Sequence, residues 1–174
     1  MKKIKVGIFG LGKLGKIHLK LIKELCYERE DLELIGIYET DKEINVSISK
    51  ENGFDLNNSV DELIGKINTA IIVTPTSTHF ELAKKCILSN INTFIEKPVT
   101  ETTKQAQELM ELSKGRKIKI QIGHIERFNP AILALDNYHI KPMFIETHRL
   151  AEFNPRGTDV SVIQDLMIHD IDII

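Results

Sequence analysis

The chain has 174 residues with 23 basic and 25 acidic side chains, a formal net charge of -2, which lacks the basic excess that general nucleic-acid or membrane-surface binding requires. Hydrophobic residues at 42% and charged residues at 28% are proportions of a globular protein, not of a disordered or fibrous one. No apolar run approaches the roughly 18 residues of a membrane span, and Met1-Lys2-Lys3 leads into a strand-like run without a leader cleavage pattern, so a cytoplasmic protein is expected. Cys26 and Cys86 are too few and too far apart for a disulfide framework or a CxxC motif, and are expected to be buried thiols.

In chain order, short β-branched runs alternate with longer periodic segments, the pattern of a parallel sheet built from βαβ units. Ile4 to Phe9 is apolar at nearly every position, as a strand covered on both faces should be, and Ile17 to Leu25 carries apolar residues at helical spacing. A strand follows at Leu32 to Tyr38, then a helix around Ile44 to Asn52 ended by Gly53, and a short helical turn at Asp61 to Ile64. Thr69 to Val73 reads as a strand stopped by Pro75, Phe80 to Ser89 as a helix, and Thr93 to Ile95 as a strand ended by Pro98. Thr100 is the expected cap of a helix from Glu101 to Ser113, closed by Gly115 ahead of a strand at Ile118 to Ile122. The prediction is one doubly wound α/β unit over residues 1–123.

Beyond Gly123 the texture changes. Arg127-Phe128-Asn129-Pro130 leads into a short helix, Ala131 to Leu135. Met143 to Leu150 resembles a strand, 154–157 a loop, and Val160 to Ile174 a helix that meets the end of the sequence without a terminal Gly, Pro or basic cap. A shortened protein is therefore expected, with residues 124–174 set apart from the doubly wound unit.

Gly10-Leu11-Gly12-Lys13-Leu14-Gly15 is a GxGxxG element that directly follows a buried strand and opens a helix. In that context Gly10 permits the tight turn, Gly12 lets backbone approach a pyrophosphate, and Gly15 allows close helix packing. The helix N-terminus would turn the Lys13 and Leu14 amides toward phosphate. A glycine-rich turn without a ligand is the competing reading. Glu39 ends the second strand, where a carboxylate can accept from both adenosine ribose hydroxyls and repel a 2′-phosphate, so NAD is expected over NADP; Asp41 is the rival for this role. Thr74, Pro75, Thr76 and His79 lie after the third strand, at the sheet edge where open α/β folds bind ligands. Helix capping is an equal reading for Thr78 and His79.

Hydride transfer from an alcohol needs a proton acceptor and a cation that steadies alkoxide charge. Glu96-Lys97-Pro98 stands at a strand end, with the proline fixing a turn that would aim Lys97 into the crevice, although such a lysine is often only solvated. Asp165, His169 and Asp172, spaced i, i+4 and i+7, share a helix face, and histidine has the ordinary pKa suited to proton transfer near neutrality. The bland reading is a helix-end carboxylate with a surface histidine. A zinc site lacks a third convincing ligand, and no metal is expected.

Val6 to Gly15, Thr74-Pro75 with His79, Glu96-Lys97-Pro98, and Asp165 followed by His169 together resemble the Gfo/Idh/MocA family, the glucose-fructose oxidoreductase and inositol dehydrogenase group. The resemblance implies a Rossmann dinucleotide-binding domain, with Lys97 assisting catalysis, Asp165 and His169 in the substrate site, and His169 as acid/base. A narrower similarity, carried by Gly123 to Ala131, by Asn154 to Val160 and by Asp165 to Asp172, is to members that oxidise the 3-hydroxyl of UDP-N-acetylglucosamine or related UDP-sugars. Inositol or another polyol is the alternative substrate. Arg127, Arg149 and Arg156 could offer planar cations to a diphosphate, or could be ordinary surface charge. Family members are about twice as long, with a carboxyl-terminal substrate-binding α/β domain of which the resemblance makes residues 124–174 the incomplete start, and are commonly oligomeric, so a homo-oligomer is expected. A non-catalytic nucleotide-binding module is the other reading.

Overall fold

The computed structural model describes residues 3–150 and 161–174. It divides into two compact units, one running through Ile122 and the other from Gly123 to Ile174.

The first unit is a five-stranded sheet in the order β2-β1-β3-β4-β5, with β1 Ile4–Phe9, β2 Leu32–Tyr38, β3 Thr69–Ile72, β4 Asn92–Glu96 and β5 Ile120–Gly123. Pairing is parallel for β1 with β2, β1 with β3, and β3 with β4. The helices are α1 Lys13–Glu28, α2 Lys42–Asn52, α3 Val60–Ile64, α4 Thr76–Leu88 and α5 Thr103–Ser113.

The strands are rich in apolar residues because both faces of the sheet are covered. Val6, Ile8 and Ile71 pack with Leu19 of α1 and Ile48 of α2. Their sequence neighbours Phe9 and Ile72 point the other way, as a period of two demands, and meet Leu63 of α3, Leu82, Ala83 and Ile87 of α4, and Leu109 of α5. After β1 the chain moves to β2 on one side, and after β2 it crosses to β3 on the other. The carboxyl edge between β1 and β3 is therefore the topological switch point, where open α/β sheets bind ligands.

Several boundaries differ from expectation. Helices α1 and α4 start earlier because their first turns consist of Lys13, Leu14, Thr76, Ser77 and Thr78, which lie ahead of the apolar periodicity. Helix α5 is capped by Thr102, whose hydroxyl accepts from the Gln105 amide while the Gln105 side chain accepts from the Thr102 amide; the Thr100 hydroxyl instead donates to the Thr102 carbonyl. Cys86 is fully buried and its thiol is pushed up by burial to about 12, whereas Cys26 is only half-buried.

The second unit holds a 3-10 turn at Ile125–Phe128, α6 Pro130–Leu133, a further 3-10 turn at Ala134–Asn137, a π-turn at Ile163–Met167 and α7 Ile168–Ile173. Asn129 caps α6 by accepting from the Ala131 amide, with Pro130 at the first helical position. Met143 to Leu150 forms no strand, and among the described residues no segment pairs with it. The helix expected from Val160 begins at Val162 and opens as the π-turn. The expected loop 154–157, Arg156 included, lies outside the described residues. No helix among the described residues is long and apolar enough to cross a membrane.

Candidate cofactor and catalytic site

The glycine loop joins β1 to α1 under three separate constraints. Gly10 sits at φ 90°, and a Cβ there would come within 2.7 Å of the Val73 carbonyl oxygen, so both conformation and the neighbouring β3 loop demand glycine. A Cβ at Gly15 would collide with the Gly10 carbonyl oxygen. At Gly12 a Cβ would meet nothing within 4 Å. Gly12 is also the N-cap of α1 and offers no side-chain cap. The first-turn amides, those of Lys13 and Leu14 among them, thus open toward space at the positive end of a 16-residue helix.

Glu39 follows β2 and reaches across to this loop. Its Oε2 accepts from the Leu11 amide at 2.7 Å, while Oε1 accepts from the Thr40 amide, the Thr40 hydroxyl and the Asp41 amide. Burial pushes the Glu39 carboxyl up, but these hydrogen bonds outweigh it and hold the group below its ordinary value. With one accepted bond, Oε2 keeps a lone pair for a further donor. Asp41 is committed elsewhere, since its carboxylate caps α2 by accepting from the Glu43 and Ile44 amides.

Across the switch point, α4 also starts without a side-chain cap, at Pro75. Thr74 and Thr76 flank that start, the former half-buried and the latter buried, and the Thr78 hydroxyl donates to the Pro75 carbonyl and lies 2.7 Å from the Thr74 hydroxyl. His79 is neither a cap nor open to a ligand. It is 1% exposed, with Nδ1 2.9 Å from the Pro98 carbonyl and Nε2 2.8 Å from the Thr74 carbonyl. A neutral ring donates to one of these oxygens and an imidazolium to both. His79 therefore ties the β3 loop to the turn after β4.

That turn is Glu96-Lys97-Pro98, with a cis peptide between Lys97 and Pro98. Lys97 is half-buried, and its amide donates to Glu96 Oε2 at 3.3 Å. Glu96 Oε1 lies 2.7 Å from His18 Nε2. His18 escaped the sequence reading. Its signal was its place on the Gly15-Leu19-Ile22 side of α1, a polar group on the helix face that packs against the sheet.

In the second unit, Asp165, His169 and Asp172 lie half-buried on one side of the last helix, whereas Val162, Leu166, Met167 and Ile171 are exposed. Arg127 forms a fork with Asp172, Nε to Oδ2 at 2.8 Å and Nη2 to Oδ1 at 2.7 Å. The hydrogen bond from Arg127 holds the Asp172 carboxyl below its ordinary value despite burial. Arg149 likewise donates to both oxygens of Asp170. Both guanidiniums are thus engaged by carboxylates, Arg127 with 61% of its side chain still exposed. Among the described residues, no group of three or more His, Cys, Asp or Glu could hold a metal ion.

Residues 4–124 match the GFO_IDH_MocA family, described as an oxidoreductase family with an NAD-binding Rossmann fold. The chain is 35% identical over 171 residues to the UDP-N-acetylglucosamine 3-dehydrogenase of Acidithiobacillus ferrooxidans, covering 98% of this chain and 53% of that one. It is 25% identical over 186 residues to the inositol 2-dehydrogenase of Rubrobacter xylanophilus, covering 98% and 51%. A solved structure of the Acidithiobacillus ferrooxidans enzyme superposes with a TM-score of 0.88 over 99% of this chain and 56% of that one. The chain thus spans about half the length of the curated relatives it matches.

Proposed function

The chain belongs to the GFO_IDH_MocA oxidoreductase family, and from that premise we propose that it binds NAD across the β1–β3 switch point and serves oxidation of a sugar hydroxyl, that of a UDP-N-acetylglucosamine-like nucleotide sugar. The observation that carries the cofactor reading is Gly12. Packing within the chain accounts for glycine at positions 10 and 15, but a methyl group at Gly12 would enter empty space in front of uncapped helix amides. What excludes a side chain there is a group from outside the chain, and amides at a helix start suit a pyrophosphate.

Glu39 favours NAD over NADP. Its carboxylate is ionised, anchored to the loop by the Leu11 amide and left with a lone pair on Oε2, which suits a ribose hydroxyl and repels a 2′-phosphate. The uncapped start of α4, with Thr74, Pro75 and Thr76, borders the same edge and suits the nicotinamide half.

Bound nicotinamide supplies the hydride acceptor. In this reading the carbon bearing the hydroxyl gives up its hydride, His169 takes the hydroxyl proton, and a carbonyl forms. Lys97 steadies negative charge on the oxygen, and Asp165 orients the sugar or His169. The 35% identity to a UDP-N-acetylglucosamine 3-dehydrogenase over nearly the whole chain supports that substrate class over a polyol.

The test is a titration of the 174-residue protein with NADH and NADPH, read by fluorescence and thermal shift, followed by UDP-N-acetylglucosamine with NAD. Saturable binding that prefers NADH, then NADH formation lost in Lys97→Ala and His169→Ala, is the expected result. A folded protein that binds neither dinucleotide overturns the cofactor reading. Binding without turnover reduces the proposal to a nucleotide-binding module.

A further inference from the structure

The turn that carries Lys97 is held from two sides by histidines on different helices. His79 of α4 sits beneath Pro98, fully buried, and meets its carbonyl oxygen at 2.9 Å. His18 of α1 meets Glu96 Oε1 at 2.7 Å, with the two side chains only 19% and 14% exposed, and its ring leans on Phe94 with centroids 5.5 Å apart. A carboxylate only accepts, so His18 Nε2 carries the hydrogen. The other oxygen of the same carboxylate accepts the Lys97 amide. Glu96 is therefore a two-ended bridge, one oxygen on the helix that begins at the glycine loop and one on the backbone of Lys97.

We propose that His18 is a positioning residue for Lys97, acting through Glu96; this rests on the chemical role proposed for Lys97. Glu96 is the last residue of β4 and has rotamers to choose from, and alone its carboxylate would relax into solvent. The hydrogen bond from His18 to a charged acceptor, sheltered by Phe94, selects the rotamer in which Oε2 faces the Lys97 amide. The pairing also links α1, whose N-terminus would carry the pyrophosphate, to the turn that would meet the substrate.

The experiment is amide hydrogen exchange by NMR on the 174-residue protein and its His18→Leu, His18→Gln and Glu96→Gln variants, with an NADH titration of each. Leucine fills similar volume without a donor, so His18→Leu should speed Lys97 amide exchange about tenfold while Ile8 and Phe9 in the core stay protected. Glutamine restores a donor at similar reach and should return Lys97 exchange to within about threefold of the wild type, a rescue that loss of packing would not show. If His18→Leu does not fold, Glu96→Gln still reports. It places an amide donor or a weaker acceptor at the Lys97 end and should give the same faster exchange with the core intact. Unchanged Lys97 exchange in a folded His18→Leu or Glu96→Gln protein, or no rescue by glutamine, overturns the proposal. Failure of the wild type to bind NADH overturns the cofactor reading instead, leaving the exchange result to decide the role of His18 by itself.

Discussion

Gly12 is the N-cap of α1 and Gly15 lies three residues on in its first turn, and the two are glycine for unrelated reasons. At Gly15 a methyl group collides with the Gly10 carbonyl, which is backbone and cannot swing aside. At Gly12 it meets nothing. Gly15→Ala is expected to cost more than about 2 kcal/mol through overpacking, whereas Gly12→Ala should melt near the wild-type temperature yet bind NADH at least about tenfold more weakly, a loss of about 1.4 kcal/mol. Thermal melts of both variants with and without NADH separate the two roles, and full NADH affinity in Gly12→Ala would remove the argument built on its empty surroundings. Glu39 gives a second prediction with a definite sign. Its folded-state value is depressed, so its ionised form stabilises the fold above the unfolded value of about 4.3, and that contribution is lost as pH falls through the lower folded value. Glu39→Gln should lower the melting temperature by about 2–4 °C at pH 7, with the gap closing below about pH 4. A constant gap from pH 7 to pH 3 would show that the carboxylate charge is immaterial to the loop.

At the scale of elements, β1 and β2 were legible to the residue because burial on both faces writes an apolar run that only Lys5 and Glu33 interrupt with charge. Helix starts were less legible. The first turns of α1 and α4 face the sheet edge and carry Lys, Ser and Thr, so apolar periodicity begins a turn or less after the backbone does. Thr100 and Thr102 both precede α5, and the Gln three residues after Thr102 was the capping-box signal that distinguishes them. The segment Met143 to Leu150 shows the opposite failure. Its β-branched and aromatic residues fit a strand, yet pairing is a non-local property that no local run encodes. The loops of the candidate site were found from glycine and proline spacing, but the grip of His18 and His79 was not, since each contact closes over a long sequence separation. For α5, Thr102→Ala should cost about 1 kcal/mol, about 2–4 °C in melting temperature, while Thr102→Ser keeps the acceptor and most of the stability. Equal melting of the alanine and serine variants would show that the cap contributes nothing.

Over the whole molecule, every buried hydrophobic side chain among the described residues lies between Val6 and Leu109. The second unit buries none in its helices and turns. Its polar contacts include Arg127 with Asp172 and Arg149 with Asp170, whose carboxylates are largely shielded from water. Meanwhile Phe128 is 68% exposed, Phe144 80% and Leu150 92%. Large apolar side chains exposed to this degree favour association, and identical chains in solution offer one another the same residues. The expected outcome is self-association through the second unit: light scattering should give a mass that rises above 19.8 kDa with concentration. The paired substitutions Phe128→Ser and Phe144→Ser should lower that mass while leaving NADH binding in the first unit intact. The two properties are separable because the proposed cofactor residues all precede Gly123, whereas the exposed aromatic residues follow it. A constant mass of 19.8 kDa at every concentration would show that the second unit keeps its apolar side chains in water without a partner copy.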